Sequence, residues 1–231
     1  LTTFINKWIK NKIDTVLKSL IDLKNLKYQN TSIKALAYRL YENNGVIKRD
    51  SVTEYVKNLE QNDRKILRDL GVKFGRYHIF LFKLIKPEAV SLRTLLWKNY
   101  HQKYFNLKPP KFGLNFIDDK NLNKNFMLLC GFEKFHELYV RIDILERLFV
   151  KIINSDMKEK KEIKVIPEML NLLGCNKENF KKLLKNMDYK IIEKEQNIYF
   201  RYAPKKVFKK TFNNKNKKES PFGVLKDLQL S

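Results

Sequence analysis

The sequence predicts a mainly helical α+β protein built from two winged-helix-like units, and three observations support this fold class. Several stretches carry apolar residues at the 3.6-residue period of amphipathic helices. Two of them lead into an alternating apolar pattern that turns back as a β-hairpin. Both times the order is helix, strand, helix, helix, hairpin, as in winged helix-turn-helix domains. We expect these units at residues 31–100 and 139–204.

Residues 1–30 precede the first unit and are expected to form an amphipathic lead helix or a pair of helices. Apolar side chains recur at a helical period over residues 4–26, and lysines lie on the opposite face. Packing against a neighbouring element explains this face better than a membrane surface does. The first helix of the unit then begins at a Thr31-Ser32 cap and ends at Gly45.

The stretch from Asp63 to Pro87 is the most informative part of the first unit. It predicts a short helix that ends at Gly71, followed by a hairpin whose alternation breaks at Gly75-Arg76. Such a break is typical of a two-residue turn with glycine at its first central position. A strand at Val46-Ile47 and a helix behind a Ser51-x-x-Glu54 capping box complete the unit.

Residues 101–138 are expected to form an irregular connector between the two units, and short strands near residues 126–132 are the alternative. The run Lys108-Pro109-Pro110-Lys111 and Gly113 interrupt regular structure, and aromatic residues recur throughout. Interleaved basic and aromatic residues can stack nucleic-acid bases, but anchoring of a loop to a core explains this pattern better.

The second unit repeats the architecture of the first without repeating its residues. A helix follows Tyr139, and the run IKVI at 163–166 predicts a short strand. A brief helix begins at Pro167 and ends at Gly174, and a third helix is capped by Asn176. Residues 189–202 then predict the hairpin.

Residues 205–231 are expected to form a basic tail that ends in a short apolar segment. Residues 205–218 hold seven lysines and no acid, a composition typical of disorder. The terminal SPFGVLKDLQL regains apolar residues and could dock on a protein partner.

The formal net charge of +23, from 48 Lys+Arg against 25 Asp+Glu, predicts a polyanionic partner. Lysine far outnumbers arginine, which an AT-rich genome also produces, so a solvated lysine-rich surface is the alternative. Arginine reads guanine with two hydrogen bonds, whereas lysine is a mobile point charge. The bias therefore predicts binding to the nucleic-acid backbone without sequence preference.

The candidate nucleic-acid-binding residues share a position on the third helix or the hairpin of a unit, or in the tail. In the first unit they are Arg64, Lys65, Arg68, Lys73 and Arg76. In the second unit they are Lys177, Lys181, Lys182, Lys185 and Arg201, and in the tail they are Lys205, Lys206, Lys209 and Lys210.

Motifs for catalysis or metal binding are not evident in the sequence. His78, His101 and His136 are scattered, and there is no phosphate loop, DExH-type box or arginine-finger motif. Cys130 and Cys175 lack CxxC spacing, which favours free buried thiols in a reducing, cytoplasmic compartment over a disulfide or zinc site. No apolar run approaches the roughly 20 residues that span a bilayer. We expect no metal, no cofactor and no catalytic residue in this chain.

Five stretches carry a family resemblance. They are TSIKALAYRLYENNGVI, LRDLGVKFGRYHIFLFKLIKPEAVSLRTLLW, VRIDILERL, IPEMLNLLGCNKENFKKLLKNMDY and SPFGVLKDLQL. Together they resemble the C-terminal region of large alphaproteobacterial ATP-dependent helicases, superfamily-two enzymes related to the mitochondrial degradosome RNA helicase. The resemblance covers most of the chain from about residue 30.

The resemblance implies an accessory region that follows a helicase motor. ATP and Mg would be bound by motor domains N-terminal to Leu1. The chain begins with Leu rather than Met, which suggests a fragment of a longer protein. The first functional hypothesis is therefore a nucleic-acid-binding region of a helicase that acts on RNA. A second is a protein–protein adaptor that braces the motor or recruits a nuclease or the ribosome. A third is a winged-helix transcription regulator, which the excess of lysine over arginine disfavours.

Overall fold

The computed structural model describes residues 2–27, 30–155, 162–194 and 197–203. Within these ranges the chain is an α+β structure, which confirms the predicted class, and no helix there is long and apolar enough to cross a membrane. The helices are α1 (Thr2–Val16), α2 (Lys18–Lys24), α3 (Thr31–Glu42), α4 (Thr53–Lys57), α5 (Gln61–Asp69), α6 (Pro87–Tyr100), α7 (Lys124–Leu129), α8 (Ile142–Ile153), α9 (Pro167–Leu173) and α10 (Lys177–Asn186). The strands are β1 (Val46–Lys48), β2 (Val72–Phe74), β3 (His78–Leu81), β4 (Phe116–Asp118), β5 (Phe132–Phe135), β6 (Leu138–Arg141), β7 (Ile163–Lys164), β8 (Tyr189–Lys194) and β9 (Asn197–Tyr202).

The strands form three small antiparallel sheets that share one connectivity. Their strand orders are β1-β3-β2, β4-β6-β5 and β7-β9-β8. In each sheet the last two strands form a hairpin, and the strand that comes first in the chain pairs with the second strand of that hairpin. A helix precedes the first strand each time, and one or two further helices separate that strand from the hairpin. Three consecutive units therefore share one topology, where the sequence predicted two.

The additional sheet lies mostly in the stretch that was predicted to be an irregular connector. Its first strand has three residues and its helix α7 has six, which is too short for a hydrophobic period to be recognised. Its hairpin turns at His136 and Glu137, and His136 adopts a left-handed φ of 53° that the sequence does not signal with glycine. As a result Tyr139 lies in a strand, and the following helix begins only at Ile142.

Several helix boundaries follow the predicted chemistry, and others use different residues. Gly71 and Gly174 follow their helices with left-handed φ values of 92° and 69°, as predicted. Asn176 caps α10 as predicted, because its side chain accepts a 2.8 Å hydrogen bond from the backbone N–H of Asn179. The cap of α3, however, is Asn30 rather than Thr31-Ser32.

The capping box of the first unit also differs from the prediction. Ser51 lies in a 3-10 turn, where its hydroxyl donates to the Lys48 carbonyl at 2.7 Å. The reciprocal box is formed instead by Glu60 and Asp63 at the start of α5. The side chain of Asp63 also accepts a hydrogen bond from Asn30 at 2.7 Å, so this box ties the starts of α3 and α5 together.

Each unit has its own apolar core, and the units are packed against one another. The first core surrounds Leu36 and Leu67, and the last surrounds Leu145 and Phe200. A smaller core around Tyr139 belongs to the middle unit. A buried cluster of Val46, Phe80 and Ile142 joins the first sheet to the start of α8, and this contact positions the site described next.

Candidate nucleic-acid interface

The tip of the first hairpin is docked on α8 through a single carboxylate. Glu146 of α8 accepts hydrogen bonds from three consecutive backbone N–H groups, those of Arg76, Tyr77 and His78, at 2.5, 2.9 and 2.9 Å. Successive N–H groups that converge in this way form an anion-binding nest. On the other side of the turn, the Arg49 guanidinium donates to the Gly75 carbonyl at 2.7 Å. Both strands of the hairpin are thereby held at their tips.

Gly75 is required here for a reason other than the predicted one. Its N–H donates to the His78 carbonyl at 2.8 Å, so the two central residues of the turn are Arg76 and Tyr77. Gly75 does not have a positive φ, so the turn is not the predicted type with glycine at its first central position. A Cβ at Gly75 would lie 2.3 Å from the Glu146 carboxyl carbon, a separation that real Cβ atoms do not show. A side chain at this position would therefore have to displace the Glu146 carboxylate from the three N–H groups that hold it.

A buried cluster of charged groups lies beside this nest. His78 of β3 is 2% exposed, and its Nε2 atom lies 2.8 Å from Glu133 of β5. The Nζ atom of Lys48 contacts the other Glu133 oxygen at 2.9 Å. The His78 Nδ1 atom lies 3.8 Å from Glu146, beyond hydrogen-bonding distance. The cluster connects the first sheet, the middle sheet and α8.

The charged groups in this cluster shift one another's pKa values. Burial on its own lowers the pKa of His78, but the carboxylates of Glu133 and Glu146 outweigh burial and raise it above its usual value. Burial also opposes ionisation of the two carboxyl groups. Even so, His78 and Lys48 lower the pKa of Glu133, and His78 with the three backbone N–H groups lowers the pKa of Glu146. The cluster therefore favours charged glutamates and a protonated histidine.

A groove of about 780 Å³ lies between the first hairpin and α8. Its floor contains Phe74 of β2 and Phe149 of α8. Val150 and Ile153 of α8 also line it, with 54% and 52% of their surfaces exposed. We call this feature the hairpin–α8 groove. Cationic side chains also line it, namely Arg49, Lys73, Arg76, Arg147 and Lys151.

Two of the five candidates of the first unit line this groove, and a third lies beside one of its aromatic rings. Lys73 and Arg76 line it directly, and the Arg76 guanidinium lies 5.7 Å from the ring centre of Phe149. Arg68 is exposed on α5 and lies 5.7 Å from the ring centre of Phe74. Lys65 is exposed on α5.

Arg64, the remaining candidate of the first unit, is occupied by a structural contact. Its guanidinium donates to the carbonyl of Val56 at 2.7 Å and to that of Leu59 at 3.3 Å. These carbonyls lie at and just beyond the end of α4, where backbone acceptors lack partners within the helix. Arg64 is therefore a helix cap, and its half-buried side chain is not free for a ligand.

In the last unit, α10 presents most of the predicted lysines to solvent. Lys177, Lys182 and Lys185 are exposed, and no ion pair among the residues the structure describes involves them. Lys181 differs, because its ammonium contacts Glu178 at 3.1 Å and Glu193 at 2.8 Å. The hydrogen bond to Glu193 contributes most and the one to Glu178 comes next, and together they raise the pKa of Lys181. The ammonium group is therefore already engaged within the protein.

The other candidates lie on the last hairpin and in the tail. Arg201 is exposed on β9, as expected of a hairpin residue that could contact a ligand. Lys205, Lys206, Lys209 and Lys210 lie outside the described residues.

Sequence reasoning missed the contribution of α8. The apolar face of this helix, with Leu145 and Leu148 buried, already predicts that Arg147 faces solvent. Nothing in the sequence, however, places α8 beside a hairpin some 70 residues earlier in the chain, the separation of Arg76 and Glu146. The contact is therefore visible only in the folded chain.

The two cysteines are free thiols, as predicted; Cys130 is buried as expected, whereas Cys175 is only half-buried. Burial raises the pKa of Cys130 to about 12 and that of Cys175 to about 11, so both remain protonated at neutral pH.

No family model, no curated protein and no solved structure matches the chain.

Proposed function

We propose that this chain is an accessory nucleic-acid-binding region of an ATP-dependent RNA helicase and that it contacts the phosphate backbone without reading sequence. The observation that carries the proposal is the exposed face of α10, where Lys177, Lys182 and Lys185 are free of ion pairs with other described residues. Each phosphate that such a lysine neutralises releases a counterion, which drives association. ATP and Mg would be bound by motor domains elsewhere in the parent enzyme, which would act in the cytoplasm.

The shared connectivity of the three units supports this proposal. A helix followed by a hairpin, with an earlier strand paired to the hairpin, is the arrangement of winged helices, which present the last helix and the hairpin to nucleic acid. In the first and last units those helices are α5 and α10, the two that carry the candidate cations. The helicase assignment rests on the sequence resemblance, and the cationic surface is what such an accessory region requires.

Reversing two lysine charges tests the contribution of α10. For the Lys182→Glu/Lys185→Glu variant we expect at least about tenfold weaker binding to a single-stranded RNA of mixed sequence, since two phosphate contacts are lost. The slope of log K against log salt should also become shallower by about 1.4, or roughly 0.7 per phosphate contact on a single strand. Fluorescence anisotropy titrations at several salt concentrations measure both quantities.

The matched control is Lys120→Glu/Lys124→Glu, which changes the net charge equally at two exposed lysines of the middle unit. Its affinity and salt slope should stay close to those of the wild type. Equal losses in both variants would mean that only the net charge matters, and salt-independent binding by the wild type would contradict the proposal. Thermal unfolding checks that the variants remain folded.

A second candidate function, that of a protein adaptor, is favoured by the exposed face of α1. Phe4, Ile5, Trp8 and Ile9 are 73%, 44%, 60% and 40% exposed, and they cluster on one side of the helix. A contiguous apolar face of this kind is typical of protein contacts, and the motor of the parent enzyme is the partner that this candidate requires.

The Phe4→Ser/Trp8→Ser variant tests this second function. We expect it to weaken co-purification with separately expressed motor domains by about tenfold or more, because aromatic anchors dominate such interfaces. Its RNA affinity should stay unchanged, since the altered face carries no candidate cation. Tyr38→Ser on α3, where the side chain is 58% exposed, is the control. Undiminished co-purification of the first variant would exclude α1 as the contact.

A further inference from the structure

The hairpin–α8 groove carries a net positive charge, because five cationic side chains line it against two carboxylates, those of Asp143 and Glu146. Asp143 accepts hydrogen bonds from the Arg141 guanidinium at 2.7 and 3.0 Å. Glu146 is held by the three backbone N–H groups of the hairpin turn. Within the described residues, neither carboxylate forms an ion pair with a cation that lines the groove.

Three cations of the groove are available to a ligand. Lys73, Arg76 and Arg147 are exposed, and no ion pair within the described ranges of the chain involves them. They surround an apolar floor rather than a polar one. A ligand that fits must therefore carry several negative charges together with flat or apolar groups.

Two of the aromatic rings that line the groove each lie next to an arginine. Arg76 lies over Phe149 and Arg68 lies over Phe74, each at 5.7 Å from the ring centre. Nucleic-acid bases stack both on aromatic rings and on guanidinium planes. The same two surfaces thus offer stacking positions next to cations that can contact phosphates.

We propose that the hairpin–α8 groove binds single-stranded nucleic acid, with unpaired bases on the floor at Phe149 and phosphates at Lys73, Arg76 and Arg147. This inference rests on the proposed function and adds a contact site separate from α10. In a duplex each base face is covered by the neighbouring pair, so an apolar floor contributes nothing to its binding. An unpaired base presents its π-face and can stack on an aromatic side chain.

Two variants separate the contributions of the floor and of the cations. Phe149→Leu removes the ring but keeps an apolar side chain, and we expect about tenfold weaker binding of a twelve-nucleotide oligouridine. Its salt slope should not change, because no phosphate contact is lost. Arg147→Glu should weaken binding and make the slope shallower by about 0.7. A twelve-base-pair RNA duplex should bind Phe149→Leu and the wild type equally within about twofold, since paired bases cannot reach the ring.

Phe105→Leu is the matched control, because Phe105 is exposed beside Lys98, at 5.5 Å from its Nζ atom, and lies outside the groove. It should bind oligouridine as the wild type does. If Phe149→Leu and Arg147→Glu bind normally while Lys182→Glu/Lys185→Glu binds weakly, the groove is excluded and the proposed function stands. If the wild type binds no oligonucleotide, both fail. If polyglutamate binds the wild type more tightly than oligouridine and Arg147→Glu abolishes that binding, the occupant is an acidic peptide instead.

Discussion

Alanine in place of Glu146 is expected to lower the free energy of unfolding by about 3–5 kcal/mol, as for the loss of one partner from a buried charged network. The substitution leaves three consecutive backbone N–H groups of the hairpin turn without their acceptor, and it removes a negative charge that faces His78. Urea denaturation followed by circular dichroism measures the change. Glu178→Ala, which removes a more exposed carboxylate of α10, should leave stability nearly unchanged.

Gly75→Ala should produce a loss of similar size, because the added methyl group would displace the same carboxylate. The two substitutions disrupt one contact, so their effects should not add. We expect the Gly75→Ala/Glu146→Ala double variant to be about as stable as the less stable single variant. Fully additive losses would show that Gly75 and Glu146 act independently and would contradict the contact described here.

Glu133→Ala is the second large expected change, with a loss of about 3 kcal/mol. Its carboxylate is 4% exposed and is the partner of both His78 and Lys48. Without this carboxylate, the buried His78 imidazole loses its hydrogen bond, and the positive charges of His78 and Lys48 lose the negative charge that they contact. Glu137→Ala, in the turn of the same hairpin, removes an exposed carboxylate and is the control. A loss no larger than that of Glu137→Ala would mean that the cluster does not stabilise the fold.

The same variant should also change how stability depends on pH. The pKa of His78 is raised on folding, so its contribution is complete below about pH 6.5, the usual histidine value, and is lost as the pH rises through the folded pKa. The pKa values of Glu133 and Glu146 are lowered, so their contributions are present above about pH 4.5 and are lost as the pH falls. The stabilisation is therefore greatest between these limits. Glu133→Ala should flatten the decline above pH 6.5.

The elements that could be predicted from sequence are those whose signals are local. The first and last hairpins follow from alternating residues, and the ends of helices at Gly71 and Gly174 follow from the one residue type that adopts a left-handed backbone without strain. The middle sheet was not predicted, because its elements are short and its hairpin turn places His136, rather than a glycine, in a left-handed conformation. Here the contacts between units select a conformation that the local sequence disfavours.

The candidate site shows the same division between local and long-range signals. Exposed lysines on α10 follow from the helical period, since its apolar face with Leu183 and Leu184 is buried. The partners of Arg64 and Lys181 could not be predicted, because a carbonyl or a glutamate becomes available only once the chain has folded. Gly75 was recognised as a turn residue, but the reason for it lies in Glu146, which is distant in sequence.

The attachment of the first hairpin to α8 also bears on how a ligand would be bound. A hairpin that is mobile before binding has to be ordered when the ligand binds, and this reduces affinity. Here Arg49 and Glu146 already hold the tip from both sides, so the two walls of the groove keep their spacing before any ligand arrives. Preorganisation of this kind removes an entropic penalty from association, and we expect it to favour rapid capture of a strand over slow mutual adjustment.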